Sequence, residues 1–152
     1  AFAIESACYA KGKNKIDFVE EMYRTLKPGA RFVITDGFRK HSNPLPKWID
    51  RIYKRNMEYW ALEELADVYA FVKALKDTGF RNIKVEDVSW KVAPSFAHIP
   101  KTTIQFFLDM WFRNSKKPLT KERRNNAFAP FYGMLMGLAR KHFCYYIISG
   151  EK

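Results

Sequence analysis

The feature that most constrains the fold is a short block near the start of the chain. Residues 15–27 carry Ile16, Val19, Met22, Tyr23 and Leu26 at helical spacing, with Lys15, Glu20, Glu21 and Arg24 turned outward. Lys27-Pro28-Gly29 follows. Pro28 cannot continue a helix, and Gly29 tolerates the positive φ of a helix-ending turn. Before the helix, Ala1 to Ser6 is a short apolar run; after it, Arg31 to Asp36 is β-branched and apolar and ends in an acid. Both read as buried strands. Strand, helix, tight turn and strand make a βαβ unit, so the two strands are expected to run parallel through a right-handed crossover.

The rest of the chain extends this α/β reading. Asn43-Pro44-Leu45-Pro46 breaks the chain, and from Leu45 the positions Trp48, Ile49, Ile52, Tyr53 and Trp60 recur as on a helix face. Residues 63–77 form a further helix, ended by Thr78-Gly79. Asn82 to Ser89 alternates as a half-covered strand does. A strongly aromatic stretch spans 96–112, a polar basic loop is expected over 113–126, a helix over 131–141 and a last strand over 143–149. These predict one partial domain over 1–152. Its sheet has about four strands, mostly parallel, with the last strand antiparallel and inserted.

Hydrophobic residues make up 47% of the chain, enough for a packed core. The formal charge of +11 favours acidic partners such as phosphates or anionic lipids. Two cysteines, Cys8 and Cys144, sit in apolar runs and read as buried thiols, without metal-ligand spacing. No uncharged apolar run approaches the ~20 residues of a membrane span, and no signal-peptide pattern is present. Residues 39–55 hold six Lys/Arg against one Asp, and 113–124 six against one Glu. The first cluster lies opposite Trp48, Ile52 and Tyr53 on an amphipathic helix, a pattern that suits an anionic membrane surface. No nucleic-acid recognition motif accompanies the charge.

Four motifs stand in order along the chain: Glu5-Ser6-Ala7-Cys8-Tyr9; Leu26-Lys27-Pro28-Gly29-Ala30 before a strand ending in Asp36; Thr78-Gly79-Phe80-Arg81-Asn82-Ile83; and Val88 to Phe96. Together they resemble the C-terminal half of class I S-adenosylmethionine-dependent methyltransferases, most closely those acting on tocopherols, sterols and natural products. The resemblance covers essentially the whole chain. It implies a Rossmann-like sheet with helical substrate-cap insertions at 41–62 and 92–138, and methyl transfer to a hydrophobic small molecule. It sets Ile4, Glu5 and Ser6 beside the cofactor's methionine moiety and Asp36 and Tyr9 at the chemistry. It sets Phe38, Trp60, Trp90 and Phe96 at the substrate. Two departures stand out. Tyr9 replaces the histidine usual in that segment, and the following Met-Pro-Asp reads Ala10-Lys11-Gly12.

No G-x-G-x-G turn occurs in these 152 residues, so the chain by itself is expected to bind cofactor weakly and to be inactive. The resemblance implies such a turn roughly 60–80 residues before Ala1, the length of several βα units. A chain cut there exposes its first strand at the sheet edge and invites pairing with a second copy. Two other readings are a non-catalytic, basic membrane or protein interaction module, and a subunit completed by a separate chain.

Overall fold

The computed structural model describes residues 1–112 and 120–152. In chain order the elements are β1 (Phe2–Ile4), α1 (Ile16–Thr25), β2 (Arg31–Arg39), α2 (Lys47–Trp60), α3 (Val68–Thr78), β3 (Arg81–Asp87), α4 (Ser89–Phe112), α5 (Lys121–Leu138) and β4 (Phe143–Glu151). The sheet order is β1-β2-β4-β3. β1 and β2 are parallel, as the βαβ reading requires, with Phe2 opposite Val33 and Ile4 opposite Thr35. β4 is antiparallel to both β2 and β3 and lies between them. Three strands therefore share one direction and the last is inserted against them.

Alternation along β2 sends Phe32, Ile34, Asp36 and Phe38 to one face, all buried. Phe32, Ile34 and Phe38 pack with Val19 and Met22 of α1 and Phe71, Ala74 and Leu75 of α3 in the main core. The run read as buried throughout is thus buried on one face, and Val33 on the other is 40% exposed. α3 starts where Asp67 accepts hydrogen bonds from the amides of Tyr69 and Ala70, a side-chain N-cap. It ends at Gly79 (φ 111), where the Phe80 amide donates back to Leu75 O and the Phe80 ring is buried.

A second core joins α2 and α5 to the start of β4 through Ile49, Tyr53, Met57, Leu65, Met136 and Phe143. The apolar side of α2 is therefore spent inside the protein; of Trp48, Ile52 and Tyr53, the three residues opposite the basic cluster, Trp48 alone is fully outward, at 64% exposed. The basic loop expected over 113–126 is corrected in part. Thr120 caps Arg123 and the chain is helical from Lys121, while 113–119 lie outside the described residues. α4 begins at Ser89, seven residues before the aromatic stretch, and carries Pro94 and Pro100 within it.

Candidate functional site

β1 ends at Ile4, opposite Thr35, but β2 runs on to Arg39 because β4 pairs with Gly37, Phe38 and Arg39. Asp36 therefore does not end its strand, correcting the sequence reading. It marks the place where one neighbour has stopped and the other continues. On the β1 side the sheet opens there, at the C-terminal ends of parallel strands, where ligands bind in open α/β sheets.

Glu5 turns the chain at that opening. Its amide donates to Thr35 O at 2.9 Å, extending the ladder by one bond, and its backbone then adopts φ 46, a left-handed conformation that non-glycine residues adopt at a cost. Its exposed carboxylate accepts a hydrogen bond from the Tyr145 hydroxyl at 2.9 Å. After Ser6, which is exposed, Ala7–Tyr9 form a single 3₁₀ turn. The turn is tied to β2 by Asp36: Oδ2 accepts from the Cys8 amide at 2.9 Å, and Oδ1 from the Gly37 amide at 2.8 Å.

Asp36 is 4% exposed. Burial pushes its carboxyl above the usual carboxylate range, the two amides pull the other way, and the charge of Glu5 adds a smaller upward push. The same combination of burial and neighbouring acids acts around it. The Cys8 thiol is pushed up to about 12 by burial, then by Asp36, and Cys8 is a poor nucleophile in that state. The Tyr9 and Tyr145 hydroxyls are also raised, first by burial, then by neighbouring acidic groups that include Glu5 and Asp36. Within a chain of net charge +11, this opening is a local negative patch. Tyr9, 52% exposed, is the aromatic ring turned out of it.

The structure thus brings Glu5, Ser6, Tyr9 and Asp36 together beside the end of β1, with Ile4 63% exposed on that strand. Phe38 is placed elsewhere. Its ring is 2% exposed, in the core beside Phe71 and Tyr146. That is an interior position, reached because residues 36 and 38 share a face of β2. Trp60 ends α2, half-buried, and Phe96 is half-buried within α4. Trp90 is 75% exposed and stacks its ring on the Arg140 guanidinium, 3.9 Å away. The start of α4 nevertheless adjoins the opening, since the Ser89 hydroxyl accepts the Tyr145 amide at 2.9 Å.

Tyr145 is the residue that the sequence did not flag. It sits in an apolar final strand that reads as core, and only the insertion of β4 beside β2 brings its hydroxyl to an acid 140 positions earlier. Strand parity offers the one usable sign, because Tyr145 lies opposite Gly37, where no side chain competes for the space. Among the described residues, no three His, Cys, Asp or Glu side chains are grouped to hold a metal ion.

No family model matches the chain. A methyltransferase of Penicillium fellutanum, phqN, is 29% identical over 133 residues, covering 78% of this chain and 39% of the relative. The phosphoethanolamine N-methyltransferase 2 of Haemonchus contortus, solved with phosphomonomethylethanolamine and S-adenosylhomocysteine, superposes with a TM-score of 0.65 at 17% identity. It covers 99% of this chain and 32% of that one. Geranyl diphosphate C-methyltransferase of Streptomyces coelicolor A3(2), solved with Mg2+, geranyl diphosphate and S-adenosylhomocysteine, gives 0.59 at 18% identity, covering 99% and 44%. The chain's sequence and structural neighbours are class I S-adenosylmethionine-dependent methyltransferases, and it spans less than half the length of each of these three.

Proposed function

We propose that this chain, which carries the C-terminal half of a class I methyltransferase fold, serves methyl transfer from S-adenosylmethionine to a hydrophobic small molecule. The observation that carries the reading is the meeting of Glu5, Tyr9, Asp36 and Tyr145 where β1 ends. An exposed carboxylate whose direction is fixed by the Tyr145 hydroxyl suits a cationic sulfonium, and Ile4, Glu5 and Ser6 are the residues that would hold it. The cofactor, when bound, supplies an electrophilic methyl group. Any proton released by the acceptor would pass to solvent, since both Asp36 oxygens are engaged by backbone amides and no free base stands beside them among the residues assigned here.

Tyr9 is assigned to the acceptor, as a ring that positions it with a hydroxyl that stays protonated. Asp36 acts through the turn it anchors, since both its oxygens are engaged by backbone amides. Trp60 and Phe96 belong to cap segments 41–62 and 92–138, with Trp90 just before the second, and these would close over the acceptor. The acceptor's hydrophobic character makes peripheral contact with a membrane part of this reading, and pairing of two copies along β1 another. Sedimentation checks the second.

The test is ultraviolet cross-linking of the 152-residue chain with methyl-tritiated S-adenosylmethionine, followed by peptide mapping, with the cofactor in large excess because the chain alone is expected to bind it weakly. Label is expected on the segment from Ile4 to Tyr9 and is expected to fall in a Glu5→Gln variant. Label confined to other segments, or unaffected by that variant, overturns the assignment.

A further inference from the structure

We propose that the outer face of α4, together with the first turn of α5, docks on an anionic membrane surface. The inference rests on the hydrophobic acceptor proposed above and names where the chain would meet it. Ile104, Leu108 and Phe112 are 59%, 50% and 79% exposed. They recur every four residues, so on a helix advancing 100° per residue they keep within an arc of about 80°. Lys101, one turn before Ile104, is exposed on the same arc.

One flank of α4 is taken, since Phe107 packs on Phe128 of α5 with ring centroids 5.1 Å apart, while Phe106, behind the ridge, is 41% exposed. That contact sets α4 and α5 side by side, five residues before the end of α4 and seven after the start of α5, so the first turn of α5 lies about two turns from it. Lys121, Arg123 and Arg124 in that turn are all exposed. The acids nearby are Asp109 on the flank of α4 and Glu122 in α5, so four cations face two carboxylates.

An exposed apolar ridge with long cationic side chains beside it on the same helix pair has the chemistry of an interfacial helix. The apolar groups enter the acyl boundary, and the ammonium and guanidinium groups reach anionic headgroups. α2, the helix whose pattern first suggested such a role, spends its apolar side in the second core. α4 leaves its ridge uncovered among the described residues. No described helix is long and apolar enough to cross a membrane, so the contact is one of lying on the surface.

The test is co-sedimentation of the 152-residue chain with phosphatidylcholine vesicles, with and without phosphatidylserine. Binding is expected only to the vesicles containing phosphatidylserine, and is expected to weaken as salt is raised. Replacing Leu108 and Phe112 together by Glu is expected to reduce the partition coefficient more than tenfold. The triple variant Lys121→Gln, Arg123→Gln, Arg124→Gln is expected to reduce it about a hundredfold, near fivefold per charge. All five positions are exposed, and circular dichroism checks that the variants fold. Equal affinity for both vesicle types, or no binding to either, overturns the proposal. So does a dimer that Leu108→Glu dissociates without any vesicle binding, which would give the ridge to a second copy. Cross-linking by the labelled cofactor is read in parallel. Its loss without loss of vesicle binding points to the methyl-transfer reading, and the converse to the docking surface.

Discussion

Asp36 gives the sharpest test of how the site is held. Its two oxygens accept the amides of Cys8 and Gly37 at 2.9 and 2.8 Å. Replacing it by Ala leaves both donors without partners, at about 1–3 kcal/mol each when water cannot reach them. Two effects lower that sum of about 2–6 kcal/mol. The variant no longer buries a carboxylate. A void of about 10 Å3 also lies beside Asp36, lined in part by Cys8, Lys15, Phe38 and Phe71. At that size it is at the lower limit for one water, and the lost carboxylate enlarges it. A destabilisation of about 2–4 kcal/mol is therefore expected.

Urea unfolding of the 152-residue chain, followed by far-ultraviolet circular dichroism, measures it. With a slope of about 2 kcal/mol/M the midpoint falls by about 1–2 M. Asp36→Asn keeps one acceptor and is expected to lose about half as much. An Ala variant within about 0.5 kcal/mol of the parent would mean that the Cys8 turn does not depend on Asp36.

Other expectations follow from neighbouring geometry. Because burial raises the Asp36 carboxyl, the native state holds this proton more tightly than the unfolded chain does. Its contribution to stability is full below the ordinary aspartate value and lost as pH rises from about 4 through the raised value. The difference in urea midpoint between parent and Asp36→Asn is expected to change over that window, and a flat difference would count against the raised carboxyl. Tyr145→Phe, which removes the hydrogen bond to Glu5, is expected to cost about 1 kcal/mol or less in stability while lowering cofactor cross-linking at Ile4–Tyr9; unchanged labelling would remove Tyr145 from the site. Gly79→Ala places a methyl 2.9 Å from the Tyr23 hydroxyl at φ +111. It is expected to cost about 1–2 kcal/mol from backbone strain alone, read as a lower melting temperature.

The parts of the fold legible in the sequence are those set by local rules. Pro28-Gly29 and Thr78-Gly79 stop helices, and Ile16 to Leu26 declares an amphipathic face, so β1, α1, β2 and α3 fall close to where pattern puts them. The parts that were not legible depend on neighbours distant in the chain. β2 is longer than its apolar run because β4 pairs with Gly37 to Arg39, and Gly-Phe-Arg carries no strand signal of its own. Trp48 and Tyr53 share a helix and a pattern, yet one is outside and the other packs on Phe143. Phe38 and Asp36 look like neighbours in a pocket, but the two-residue period of the strand sends both inward. Asp36 can serve the site only through the amides it holds.

Glu5 and Tyr145 show the same dependence on distant neighbours. A non-glycine residue at φ 46 stores strain of about 1–2 kcal/mol, and the ladder bond to Thr35 and the hydroxyl of Tyr145 are what hold it there. The strain has a use. Continuing β1 in extended geometry would alternate residue 5 onto the face shared by Ala3 and Ile34, into the core. The left-handed turn brings the carboxylate out to the opening, and Tyr145, on the strand that closes the sheet, fixes its direction. A charge so placed cannot be supplied by the βαβ unit alone. The acid stands at position 5 and its restraint at position 145, so the direction of the Glu5 carboxylate is fixed only when the inserted strand has joined the sheet.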